Sequence, residues 1–154
     1  MTHVGLGREP LLALYNPGYV LREVERHLKR YRRHGRPFAL LVVDIHNMAW
    51  VDGTFGQTAG NSALGDLADL IAASIREVDA WFLCTRDQFV IVMDETDGQA
   101  ADTVAERLAT EAESTRFILG PDGLVLEMSF RTAACPDDAA EADALLRAAG
   151  FRAS

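Results

Sequence analysis

Val20, Leu21, Val24, Leu28 and Tyr31 recur at intervals of one to four residues along the first part of the chain. Their spacing predicts one apolar helix face, opened by Pro17-Gly18 and stopped by Gly35-Arg36-Pro37. The next segment has another pattern. Phe38-Ala-Leu-Leu-Val-Val-Asp-Ile45 is a nearly unbroken apolar run rich in β-branched residues, which predicts a central strand buried on both faces. It ends in the polar group Asp44, His46 and Asn47. Residues 48–60 hold Gly53, Gly56 and Gly60 and predict a connection, after which Leu64, Leu67, Leu70, Ile71 and Ile75 predict a second helix from Asn61 to about Val78. Ala80–Cys84 and Phe89–Met93 predict two short strands, with Thr85-Arg86-Asp87-Gln88 as a tight hairpin between them. Val104 and Leu108 face inward from a third predicted helix, about Gln99 to Ala112. Phe117-Ile-Leu119 and Leu124-Val-Leu126 flank the turn sequence Gly120-Pro-Asp-Gly123, and the second of these strands is expected to run on to Ala133. Asp137 or Asp138 is expected to cap a last short helix that ends near Ala149. The order α-β-α-ββ-α-ββ-α implies an α+β sandwich, a central sheet with helices packed over it.

Composition narrows the function classes. The chain has 154 residues, 49% of them apolar, which is enough for the core of one domain. Its net charge of −8 argues against nonspecific nucleic-acid binding. Arg22, Arg26, Lys29, Arg30, Arg32, Arg33 and Arg36 crowd the first helix and its end; they read as a solvated face, with His27 and His34 on it, or as a patch for an anionic partner. No apolar stretch approaches the roughly 20 residues of a membrane helix, and the N-terminus lacks the apolar stretch of a signal peptide. Cys84 and Cys135 lie in apolar surroundings without CxxC spacing. They therefore read as reduced, buried thiols of a cytoplasmic protein and not as zinc ligands. Trp50 and Trp81 read as core residues, Trp81 alternatively as a docking surface beside Arg76.

Several segments, in order and at matching spacing, resemble the GGDEF family of diguanylate cyclases. Glu9-Pro-Leu-Leu-Ala-Leu-Tyr-Asn16 is similar to the opening D-x-L-T-G-L-x-N of that family. Asp44-Ile-His-Asn-Met-Ala-Trp-Val-Asp-Gly-Thr-Phe-Gly-Gln-Thr-Ala-Gly-Asn61 resembles D-x-D-x-F-K-x-I-N-D-x-x-G-H-x-x-G-D. Thr85-Arg-Asp-Gln-Phe89 stands where G-G-D-E-F belongs, and Ser129-Phe-Arg-Thr-Ala133 with Pro136 resembles the later S-I-G-V-A strand. The resemblance implies a nucleotidyl-cyclase-like (palm-related) sandwich on a mainly antiparallel sheet. It spans residues 9–154 after a tail of residues 1–8, and the family's closing helix and strand, with their triphosphate-binding Lys and Arg, are expected to be missing.

Active members hold GTP with two divalent ions, whose charge carboxylates must balance. By resemblance Asp44 is the first metal-binding position and Asp87 the acidic position of the signature; they either share a Mg²⁺ or are simply polar residues at neighbouring strand ends. The other positions depart from the pattern. Gln88 replaces the signature Glu, Thr85 and Arg86 replace both glycines, and His46 replaces the second Asp of the strand motif. The guanine-reading Asn and Asp correspond to Asp52 and Asn61, with the two residue types exchanged. Arg86 is placed to fill the pocket by pairing with Asp44 or Asp87. No catalytic residue and no cofactor are therefore expected.

One family feature is intact. Arg76-Glu-Val-Asp79 precedes the signature by five residues, where many members carry the R-x-x-D inhibitory site for cyclic di-GMP. A guanidinium can donate two parallel bonds to guanine O6 and N7, and a carboxylate can accept from N1 and N2. The same pair also reads as a surface ion pair near a helix end. The sequence thus points to a non-catalytic regulatory domain that binds cyclic di-GMP through Arg76 and Asp79. The alternatives are a nucleotide-independent scaffold for a protein partner or a homodimer, and a cyclase with altered nucleotide use. Neither nucleic acid nor membrane is an expected partner.

Overall fold

The computed structural model describes residues 17–115, 123 and 125–152. The expected tail, the opening motif at 9–16 and the strand at 117–119 lie outside them. The elements run α1 (Pro17–His34), β1 (Phe38–Ile45), α2 (Met48–Phe55), α3 (Gln57–Ser74), β2 (Ala80–Thr85), β3 (Gln88–Asp94), α4 (Gly98–Ser114), β4 (Met128–Cys135) and α5 (Ala142–Ala149).

The apolar run of β1 lies second from one edge of a four-stranded sheet of order β2-β3-β1-β4, and every pairing is antiparallel. Alternate side chains enter two separate cores, because successive residues of a strand point to opposite faces. Ala39, Leu41, Val43 and Ile45 pack with Leu64, Leu67, Ile71 and Leu108 of α3 and α4. Phe38, Leu40 and Val42 pack with Val20, Val24 and Leu28 of α1 and with Leu145 and Leu146 of α5. Both faces are covered, so the strand needs no polar alternation.

The segment expected to be a connection contains an extra helix, α2. Its signal is weak because only Met48 and Val51 are buried. Gly56 separates α2 from α3 at φ 92° and ψ 158°, a conformation essentially confined to glycine. α3 therefore starts at Gln57, not Asn61, and it stops at Ser74, short of Val78, because Ile75 is already extended. β4 starts and ends later than the expected 124–133 strand. α5 starts at Ala142 with Glu141 as its N-cap residue. Asp138 does not cap it; its carboxylate accepts from Ala134 N at 2.8 Å and closes a local turn.

Two single-residue expectations are also corrected. His27 is 2% exposed, not solvent-facing; its ring lies beside Phe38 and its Nε2 is 3.3 Å from Asp94 Oδ1. Trp50 is 54% exposed, whereas Trp81 is in the core as expected.

Both cysteines are free and buried. Burial pushes the Cys84 thiol up to about 12, so it stays protonated and unreactive at ordinary pH. We expect a thiol-disulfide reagent at pH 8 to label native Cys84 at a small fraction of its rate in denaturant, measured by absorbance. The raised value also works against the fold in alkali. Above the unfolded thiol pKa the unfolded chain loses a proton that the folded chain retains, so stability falls as pH rises.

Candidate functional site

The C-terminal end of β1, the β2–β3 hairpin, the α2–α3 junction and the segment after α5 converge. The β1–β3 register places Asp44 beside Gln88, and Ile45 N donates to Asp87 O at 2.8 Å. The hairpin is drawn tight by Thr85, whose hydroxyl donates to Asp87 Oδ1 at 2.6 Å. Arg86 thereby projects toward the helices.

Arg86 meets Asp52 of α2 through two parallel bonds, Nε to Oδ2 at 2.7 Å and Nη2 to Oδ1 at 2.7 Å. Its Nη1 donates to Asn61 Oδ1 of α3. The expectation that Arg86 would pair with Asp44 or Asp87 is thus corrected: the turn aims it at α2 and α3 instead. The Arg86 and Asp52 side chains are 20% and 24% exposed, and a forked guanidinium–carboxylate pair of this kind is among the stronger polar contacts. Gly60 makes room for it. A Cβ there would lie 2.0 Å from Asp52 Oδ1 and 2.8 Å from Arg86 Nη2. We expect Gly60→Ala to break the clasp and lower stability by about 1–3 kcal/mol, read by denaturant titration, despite alanine's better helix propensity.

Asp44 and Asp87 are spanned by a residue that the sequence did not single out. Arg152 Nη2 lies 2.8 Å from Asp44 Oδ1 and 3.1 Å from Asp87 Oδ1. Hydrogen bonding to Asp44, then the charge of Asp87, raises the Arg152 pKa above the ordinary guanidinium value. Gln88 is fully buried and orients the contact. Its Nε2 donates to Asp44 Oδ1 at 2.9 Å and to Gly150 O at 3.1 Å, and its Oε1 accepts from Arg152 N at 2.9 Å. His46 turns away and shares a 2.9 Å hydrogen bond with Ser129 Oγ.

A family model described as "Diguanylate cyclase, GGDEF domain" matches residues 8–152. The chain belongs to the GGDEF family. Response regulator PleD of Caulobacter vibrioides is 26% identical over 143 residues; the match covers 92% of this chain but 32% of that protein. The isolated GGDEF domain of YfiN (TpbB) from Pseudomonas aeruginosa superposes with a TM-score of 0.82 at 22% identity, covering 91% of this chain and 82% of that one. The GGDEF domain of DgcB from Caulobacter crescentus, solved with cyclic di-GMP, gives 0.78 at 15% identity, covering 88% and 80%. The expected α+β GGDEF fold is therefore the fold observed. Among the described residues no helix is long and apolar enough to cross a membrane.

The two divalent ions implied by the resemblance do not fit the residues of this GGDEF domain. The Asp44 and Asp87 carboxylates already face the Arg152 guanidinium, and Gln88, at the position that the resemblance gives to the signature Glu, points an N–H at Asp44. Among the described residues no group of three or more His, Cys, Asp or Glu side chains is arranged to hold a metal.

The R-x-x-D residues are together, but they follow the end of α3 and do not sit on its last turn. Arg76 Nη2 is 3.1 Å from Asp79 Oδ1. The Asp79 side chain is 4% exposed while that of Arg76 is 55% exposed. The Asp79 carboxylate accepts from Arg76 N at 2.9 Å, from Arg76 Nε at 3.3 Å and from Asp94 N at 2.9 Å. Arg76 Nη2 also donates to Asp94 O and to Thr96 Oγ1. The pair thus staples the end of α3 to the end of β3.

Proposed function

We propose that this chain is a non-catalytic regulatory GGDEF domain whose GTP position is closed by its own side chains. One observation carries the reading. The Arg86 guanidinium is clasped by Asp52 and Asn61, the positions that correspond to the family's guanine-reading pair. A base entering there must first displace a charge-assisted, forked contact, which costs more than an ordinary hydrogen bond. The substitutions Gln88 and His46, and the Arg152 bridge, support the same reading at the metal-binding end. Calorimetry with GTP and Mg²⁺ tests it: no heat is expected, and a saturable isotherm at micromolar GTP would refute it.

Cyclic di-GMP is the ligand that the R-x-x-D pair suggests. The exposed Arg76 guanidinium favours it, and a similar fold, that of DgcB, has been solved with this dinucleotide. The buried Asp79 carboxylate is already committed to donors within the chain, so Arg76 would provide the accessible half of the contact. Saturable heat with cyclic di-GMP, lost in Arg76→Ala, would establish this ligand; no heat would leave a protein partner. Trp50 and Phe55 favour the protein partner. They pack edge to face at 5.7 Å, with Trp50 54% exposed, and exposed aromatics anchor interfaces. A cytoplasmic location belongs to this proposal, as does a single domain over 9–154.

A further inference from the structure

We propose that Arg152 has taken over the charge-balancing role of a metal ion, so that the Asp44–Asp87 carboxylate pair is locked by the chain itself and excludes divalent cations. This inference rests on the same site as the non-catalytic reading but is separable from it, since a domain can lose turnover and still bind metal.

The chemistry is complementary. Two carboxylates at neighbouring strand ends repel each other unless a cation lies between them. Arg152 supplies that cation within 2.8 Å of one and 3.1 Å of the other. A guanidinium never loses its charge at working pH, so the lock stays closed without any ion from solution.

Gln88 is the adapter. A glutamate here would repel Asp44 and could offer no N–H to Gly150 O. The amide does both jobs and also accepts from Arg152 N. Its donor and acceptor grip the backbone of residues 150 and 152 much as a neighbouring strand would, and so deliver the Arg152 side chain to the carboxylates. The replacement of Glu by Gln is thus matched to Arg152, which gives the departure from the family signature a physical cause other than decay.

The test uses the full chain, thermal unfolding and the electron paramagnetic resonance signal of free Mn²⁺. For the natural chain the melting temperature should be the same in EDTA and in millimolar Mg²⁺ or Mn²⁺, and the Mn²⁺ signal should stay undiminished. Arg152→Ala should melt several degrees lower in EDTA. Mn²⁺ should restore part of that loss and its free signal should fall toward one ion bound per chain. Adding Asp44→Asn to Arg152→Ala should abolish both effects. Arg152→Lys, which keeps a cation, should bind no Mn²⁺ and melt near the natural chain, and it serves if the alanine variant fails to fold. Stoichiometric Mn²⁺ binding by the natural chain or by Arg152→Lys would overturn the proposal. An Arg152→Ala variant that melts like the natural chain, or that ignores Mn²⁺, would do so as well. None of these readouts involves GTP, so a product formed from GTP would instead strike at the non-catalytic reading.

Discussion

Gln88→Glu, which restores the residue that the resemblance places here, should destabilise the domain by about 2–4 kcal/mol. The natural side chain is fully buried and its amide makes two donor contacts, to Asp44 Oδ1 and Gly150 O. A carboxylate of the same shape turns both into contacts between acceptors and places a second negative charge against Asp44. The neighbouring Arg152 offsets part of this, but it is already shared by Asp44 and Asp87. The sign with pH is fixed by linkage. Burial and the Asp44 charge raise the pKa of the introduced carboxyl in the folded state, so the destabilisation is full above that raised value. It shrinks as pH falls toward the unfolded value. Urea titrations of both proteins at neutral and mildly acidic pH check this. Equal stability at neutral pH would mean that Gln88 does not hold the 150–152 segment.

Asp79→Ala should cost about 2–4 kcal/mol, whereas Arg76→Ala should cost about 1 kcal/mol or less. The asymmetry follows from burial. Removing the Asp79 carboxylate strips the acceptor from two backbone N–H groups, Arg76 N and Asp94 N, and the side chain lost is 4% exposed. The Arg76 guanidinium is more than half exposed, so water replaces much of what its removal takes away. For a domain of this size the Asp79 variant should melt roughly 5–15 °C lower. Comparable losses in the two variants would mean that the pair is held by its ion contact alone and is no staple. The comparison also guards the ligand experiment, because loss of binding in an Asp79 variant would report unfolding as readily as recognition.

The sequence carried the scaffold well. An apolar run such as Phe38–Ile45 can satisfy only a strand covered on both sides, and the two separate cores on its faces are the physical reason for it. The helical spacing in α1 reported its buried stripe of Val20, Val24 and Leu28 for the same reason, but Leu21, placed on that face by its spacing, is 39% exposed. What failed was punctuation. Gly60 looked like a breaker, yet it lies inside α3, where the Asp52–Arg86 pair occupies the space a Cβ would take. Asp138 looked like a cap, yet its carboxylate closes a turn on Ala134. His27 looked solvated within a basic helix, yet it is buried near Asp94, since periodicity alone does not say how wide the buried stripe is.

At the site, residue identity was legible and partnership was not. The departures at 46, 85, 86 and 88 were visible as changed residue types. The contacts that give those changes meaning link positions far apart in the chain, Arg86 with Asp52 and Arg152 with Asp44. No local spacing encodes such pairs. Arg152 in particular carries no motif of its own; it matters only because Gln88 seats the backbone beside it.

The decisive measurement is chromatography of the purified chain after prolonged incubation with GTP and Mn²⁺. With Arg86 seated between Asp52 and Asn61, the GTP peak should persist and no cyclic or linear dinucleotide should form. Any dinucleotide above the no-protein control would show that the clasp opens and that this GGDEF domain is an enzyme.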